Sequence, residues 1–213
     1  MRSIERCPGG TMRQECPWAV KLATAIWIGC AVAGLAGLTN YSSAPGIAAG
    51  HPPSSSTISA LPRSSAQPAL MMFVHPRCPC SSASINELAR VAASTRDRMD
   101  LTVLFVVPPD CPPDWHRTAL WASANSIPGL RVIADHEGKL ASQFGVMTSG
   151  HCLVYDSQDK LAFSGGITAG RGHEGDSPGQ VIIAEIASRR MDEKVRECST
   201  YGCPLHSRGV HNQ

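Results

Sequence analysis

The sequence predicts an α/β domain, a central mixed sheet flanked by helices, behind one apolar N-terminal helix. Three observations carry this. Short apolar runs at 69–74, 101–107 and 130–135 alternate with stretches of helical period, as expected of strands joined by crossover helices. "HCLVYD" and "KLAFSG" flank the polar turn "SQD" and read as an antiparallel hairpin. Residues 22–39 hold no charge over 18 positions, the lower limit for a membrane span.

The elements follow in order. Arg2, Arg6, Arg13 and Lys21 precede the span, and the next charge after it is Arg63. The positive-inside rule then puts the N-terminus in the cytoplasm and the rest outside. A cleaved signal peptide is the competing reading, and both lead across the inner membrane of a bacterium. The expected divisions are a cytoplasmic N-terminus (1–18), a transmembrane signal-anchor (19–39), a flexible Ser/Pro/Ala-rich linker (40–67), the α/β domain (68–195) and a C-terminal tail (196–213).

"ALMMFV" is a buried strand between Pro68 and His75-Pro76. From Ser81 the period becomes helical, with Ile85, Leu88, Ala89 and Ala92 on one face and Ser84 and Glu87 as a capping box. "LTVLFVV" is the second strand, and the proline loop "PPDCPPD" follows it. Asp114 is expected to cap a helix through about Asn125. "LRVIAD" is a third strand and "HEGKLASQFGV" a short helix ending at Gly145. After the hairpin and a Gly-rich loop, Ser177 and Pro178 start a helix that runs to Val195. The tail shows no periodicity.

Composition removes several function classes. The net charge is +2 with no basic patch, so nucleic-acid binding has no support. The Gly-rich loop lacks the Lys-Ser/Thr of a phosphate loop. Nine cysteines is an odd number, so at least one thiol cannot pair within the chain.

The chemistry concentrates in "HPRCPCSSAS", residues 75–84. A thiol at a helix start meets unpaired backbone N–H groups and the positive end of the helix dipole, which favours thiolate. Cys78 is the expected cap and nucleophile, with Pro79 as the first helical residue. Cys80 is the expected resolving thiol, and His75 and Arg77 add positive or hydrogen-bonding groups nearby. A Cys-x-Cys disulfide closes a tight, strained ring and is more easily reduced than that of thioredoxin. No cofactor is expected for this chemistry. Its partner is a protein bearing thiols or a disulfide. The competing uses are a soft-metal clamp and a pair of inert core thiols.

The element order, with thiols between the first strand and its helix, resembles the thioredoxin fold. It is similar to the membrane-tethered thiol reductases and peroxiredoxins of that superfamily. "LRVIADHEGKLASQFGV" looks like their extra strand and helix. "FVHPRCPCSSASINELARV", "SGG", "RGHEGD" and "GCPL" resemble a bacterial group labelled RedB-like. The resemblance implies a thioredoxin-like domain facing the periplasm and acting as a thiol–disulfide oxidoreductase. It places Ser81 where the second family cysteine stands if Cys78 matches the first, Arg77 where the first stands if Cys80 matches the second, and Gly150 where the family has a cis-proline. It also implies a rival: copper held by Cys78, Cys80 and His151, since thiolates and imidazole suit that metal. A binding module without redox turnover is the third reading. On this fold Arg171, His173 and Glu174 line a groove near the thiols. Cys152 reads as a buried small hydrophobe and Cys111 as exposed. Cys198 and Cys203 either pair in the tail, or Cys203 folds back as an extra resolving thiol. Cys7 and Cys16 are expected reduced in the cytoplasm, and Cys30 lies in the span.

Overall fold

The computed structural model describes residues 17–50, 67–95, 97–112, 114–189 and 194–205. It divides into two compact units, 1–40 and 41–213. The expected readings of Cys7 and Cys16 lie outside the described residues.

The first unit contains most of helix α1, Pro17–Ser43. Its apolar stretch Trp18–Ser43 has a mean hydropathy of 1.8, and none of it is buried in protein. At about 1.5 Å per residue it is long enough to cross a bilayer.

The second unit is built on a six-stranded sheet in the order β3-β2-β1-β4-β5-β6. The central strand β1 (Ala69–Val74) is buried at every residue. It pairs in parallel with β2 (Asp100–Val107), which pairs in parallel with β3 (Leu130–His136). On the other side β1 pairs antiparallel with β4 (His151–Tyr155), and β4 with β5 (Leu161–Gly166). The α/β class with a mixed sheet, expected from the alternation of apolar runs, is the one observed. Alternate residues of β1 serve two cores. Leu70, Met72 and Val74 join Ile85, Leu88 and Ile183 on one face, and Met71 and Phe73 join Leu104, Phe144 and Tyr155 on the other. Burial on both faces explains why β1 and β2 read as continuous apolar runs rather than alternating ones.

Helix α2 (Ser81–Ser94) follows β1, and α3 (Ala119–Asn125) lies between β2 and β3. Thr118, not Asp114, caps α3, its hydroxyl accepting from the Trp121 amide. Helix α4 (Lys139–Gln143) is held by Asp135, whose carboxylate accepts from the amides of Leu140 and Ala141 at 2.9 and 2.8 Å. Helix α5 (Pro178–Ala187) starts on Ser177 as expected but stops well short of Val195, with Arg189 in the left-handed region at φ 59°.

Three expectations are corrected. Ser84 and Glu87 form no capping box, because Cys80 is the N-cap and Glu87 lies far inside α2. Glu87 is instead fully buried and ties the Gly-rich loop to the helix. It accepts from Arg90 at 2.7 Å, from the Gly175 amide at 2.6 Å and from Gln180 at 2.7 Å. The first part of the expected flexible linker is bonded to the domain: the Gly46 amide donates to Thr200, the Gly50 amide to Gly145, and Thr148 to the Ile47 carbonyl. Side chains this small let the segment lie close. A Cβ on Gly46 would sit 2.4 Å from Thr148 Cγ2. Residues 51–66 of that linker lie outside the described residues. Finally, the tail is part of the domain. Its strand β6 (Arg196–Glu197) pairs in parallel with β5, and residues beyond it return to the mouth of β1.

Candidate functional site

The site forms where β1 ends and α2 begins. Two successive turns carry the chain across: the Cys78 amide donates to His75 O at 3.0 Å, and the Ser81 amide to Cys78 O at 3.1 Å. Cys78 therefore lies ahead of the helix, and Cys80 is its N-cap. Cys78 is buried, at 4% exposure, while Cys80 is half-buried. The loop before β4 faces them. Ser149 Oγ accepts from the His75 amide at 2.8 Å and is hydrogen-bonded to Ser81 Oγ at 2.7 Å. Gly150 donates its amide to Phe73 O at 2.7 Å. Gly150 stands at φ +86°, and a Cβ there would come within 2.8 Å of Ser84 Oγ. Glycine serves both needs, the left-handed backbone and the close approach. Among the described residues there is no cis peptide bond.

A third cysteine completes the site. The tail strand runs antiparallel past residues 147–149, with Thr148 bridged to Pro204. The Ser149 amide donates to Cys203 O at 2.8 Å and the Leu205 amide to Met147 O at 2.9 Å. The sulfur atoms of Cys78, Cys80 and Cys203 all lie within 4.8 Å of one another.

The three thiols differ electrostatically. Burial pushes the Cys78 thiol up. Hydrogen bonds from Ser81 and Cys203, through side chain and backbone, outweigh this and hold it below the usual thiol range. Cys80 is raised by burial and then by the charge of Cys78, with Arg171 acting the other way. Cys203 is pushed up to about 12 by burial, by its hydrogen bond to Cys78, and by the charges of Cys78 and Cys80. Of the three, Cys78 is the thiol whose ionisation the site favours, and Cys80 and Cys203 are the two whose ionisation it opposes. Arg171 is the cation that faces Cys80 and Cys203, and its guanidinium donates to the Gly202 carbonyl.

The remaining expected site residues are placed as follows. His75 is depressed below its usual range by burial and then by Arg77, so at neutral pH it adds no charge. Its Nδ1 accepts from the Arg77 amide at 3.2 Å, and its ring meets Trp115 edge-on. The Arg77 guanidinium lies 4.7 Å over the Trp115 ring. The positive charge expected from these two residues is supplied to the thiols by Arg171. His151 does not join the sulfurs. Its Nδ1 bonds Thr200 Oγ1 at 2.8 Å and its Nε2 bonds Ser164 Oγ at 3.0 Å. Burial depresses it to about 4, so it is neutral, and both nitrogens are in use. The place beside Cys78 and Cys80 expected for His151 is taken by Cys203. Of the Gly-rich loop, Arg171 reaches the thiols, whereas Glu174 bonds Asn86 and Arg90 on α2. Cys198 and Cys203 are not bonded to each other, and Cys152 is a buried core thiol, as expected. Cys111 is half-buried. Ser149 carries no local sequence signal; its part in the site comes from the fold alone.

Cys78 also lines a surface cleft with Pro76, Arg77, Pro79, Thr118 and Leu120. A larger cleft lies at the opposite end of the sheet, between the end of α2 and Ile127, and no cysteine lines it.

No protein-family model matches the chain, and no curated protein matches its sequence. Solved structures do. A hypothetical protein from Sinorhizobium meliloti superposes with a TM-score of 0.55 at 15% identity, covering 66% of this chain and 80% of that one. An uncharacterized conserved protein from Geobacillus kaustophilus gives 0.55 at 16% identity, covering 68% and 79%. A secreted disulfide oxidoreductase from Mycobacterium tuberculosis superposes more loosely, at 0.41 and 14% identity, covering 58% and 82%.

Proposed function

We propose that this chain, which has a thioredoxin-like fold, is a membrane-anchored thiol–disulfide oxidoreductase whose nucleophile is Cys78. The observation that supports it most is the asymmetry of the sulfur cluster. Cys78 gathers the hydrogen bonds that favour thiolate, and Cys80 stays protonated within 4.8 Å of it. Attack by the Cys78 thiolate on a partner disulfide gives a mixed disulfide and releases one partner thiol. Cys80 then attacks Cys78 Sγ, forms the Cys78–Cys80 bond and releases the second. Because that ring is tight, the reading favours exchange or isomerisation over strong reduction. No cofactor enters. The α1 helix is the anchor, and the basic residues ahead of it orient the domain toward the periplasm.

A soft metal ion is the second reading, favoured by the three converging sulfurs. Cys78, Cys80 and Cys203 would hold it, a thiolate set that suits Cu(I).

The first reading is tested by alkylating Cys78 with iodoacetamide across pH, with modified peptides counted by mass spectrometry. The inflection is expected below about 8.5, the ordinary cysteine value. Ser81→Ala removes one donor to the sulfur and should raise the inflection by about 0.5–1 unit, the size of one hydrogen bond. A Cys78 inflection at or above the ordinary value, unmoved by Ser81→Ala, contradicts the assignment.

A further inference from the structure

We propose that Cys203 is a third redox-active thiol, held in place by the tail strand, that closes a Cys78–Cys203 disulfide as an alternative to the Cys78–Cys80 bond. The inference rests on Cys78 being the nucleophile and extends that reading to the C-terminal segment.

The tail is built to present this sulfur. It is pinned on both sides of Cys203. Upstream, the Cys198 amide donates to Ser164 O and Thr200 bonds the buried His151 ring. Downstream, Leu205 is 1% exposed and packs with Phe73, Phe144 and Leu153. Between them, Gly202 is pressed against the loop before β4: a Cβ there would fall 1.9 Å from Ser149 O. The backbone edge of 147–149 is thereby occupied by the chain itself, as a partner peptide adding a strand would occupy it. A loose tail would need none of these contacts.

Geometry separates the two candidate resolving thiols. Cys80 sits one residue from Cys78, and its backbone is fixed in the helical region at φ −68° and ψ −24° as the cap of α2. A disulfide to Cys78 must close within that constraint. Cys203 arrives from a separate strand, so its bond to Cys78 closes no small ring. Charge points the same way. While Cys78 is thiolate, the Cys203 thiol donates to it and is held protonated. Once Cys78 is tied up in a mixed disulfide, that charge and that hydrogen bond are gone. Burial still raises the Cys203 thiol, but less now opposes its ionisation, and Arg171 acts in its favour.

The step balances as follows. Cys78 thiolate attacks a partner disulfide, one partner sulfur leaves as thiolate, and it takes a proton from water. Cys203, its proton passed to water, attacks Cys78 Sγ. The Cys78–Cys203 bond forms and the second partner sulfur leaves. The partner disulfide gains two electrons, and Cys78 and Cys203 together lose two.

The test uses the full-length chain in detergent with glutathione disulfide as the probe, followed by non-reducing peptide mapping. In Cys80→Ser, Cys78 should take up glutathione, release it, and end in a peptide linked to Cys203. In Cys80→Ser/Cys203→Ser the glutathione adduct on Cys78 should persist, clearing at least about 10-fold more slowly. Gly202→Ala in the Cys80→Ser background keeps the thiol but displaces its strand, and should also slow clearance. The long loop closed by Cys78–Cys203 should raise the Tm of oxidised Cys80→Ser above that of its reduced form by about 5 °C or more. Equal clearance with and without Cys203 overturns the relay while leaving Cys78 and Cys80 as the exchanging pair. No glutathione on Cys78 in any variant removes the relay and the oxidoreductase reading together.

Discussion

Replacing Cys78 with serine is expected to abolish exchange, lowering the rate of disulfide reduction or isomerisation by at least about 10³-fold. The hydroxyl cannot supply a thiolate, and neither neighbour can take over. Cys80 and Cys203 are both held protonated, by burial first and then by their surroundings. Removing Cys78 also removes its charge, so Cys203 loses the partner that raises it. The Cys78→Ser chain should therefore keep slow residual alkylation at Cys203 but form no mixed disulfide that it can resolve with the same rate. The measurement is insulin or glutathione-disulfide turnover by wild type and variant, matched for folding by near-UV circular dichroism. A variant retaining a tenth or more of the wild-type rate would show that Cys78 is not the nucleophile.

The largest effect on stability is expected at Glu87. Its carboxylate is fully buried and receives Arg90, the Gly175 amide and Gln180. Gln180 in turn donates to Ile167 O and Gly175 O, both at 3.0 Å, so one side chain organises the loop that carries Arg171. Glu87→Ala leaves the Gly175 amide without its acceptor, takes one acceptor each from Gln180 and Arg90, and opens space around them. Losing this buried acceptor and the volume of its side chain, with the Arg90 end half exposed, costs about 2–4 kcal/mol. For a domain of this size that is a fall in Tm of about 4–16 °C. Glu87→Gln retains one acceptor oxygen and should lose less. Hydrogen exchange should locate the loss in the Gly-rich loop, and because Arg171 then moves, Cys80 and Cys203 should become harder to ionise. A Glu87→Ala protein within about 1 kcal/mol of wild type would mean the network is incidental.

The two predictions divide along the line between what local sequence discloses and what it does not. The strands and α2 were legible because each has a period or a continuous apolar run, and burial on both faces of β1 and β2 accounts for the latter. Ser177 and Pro178 mark the start of α5 because a helix start has its own local chemistry. Glu87 misled for the same reason. A Ser-x-x-Glu spacing satisfies the capping pattern, yet here it falls inside a helix already begun at Ser81, and the carboxylate serves amides 88 and more positions away.

The thiol pair was legible, but the site was not complete without its long-range members. Ser149 meets Ser81, Arg171 faces Cys80, and Cys203 meets Cys78 only through the sheet order and the return of the tail. The tail has no periodicity because backbone bonds and isolated side chains, Thr200 and Leu205, hold it, and neither leaves a pattern. His151 was expected beside the sulfurs because its loop is. Its ring turns instead to Thr200 and Ser164, a choice set by residues far along the chain.

The most direct measurement is a redox titration of the full-length chain, quenched by alkylation and mapped by mass spectrometry. Cys78 is expected to pass reversibly into an intramolecular disulfide at a potential between about −120 and −270 mV, the span of catalytic dithiols. A Cys78 that stays reduced at every potential would contradict the account, and stoichiometric Cu(I) retention by the same three cysteines would then support the metal reading in its place.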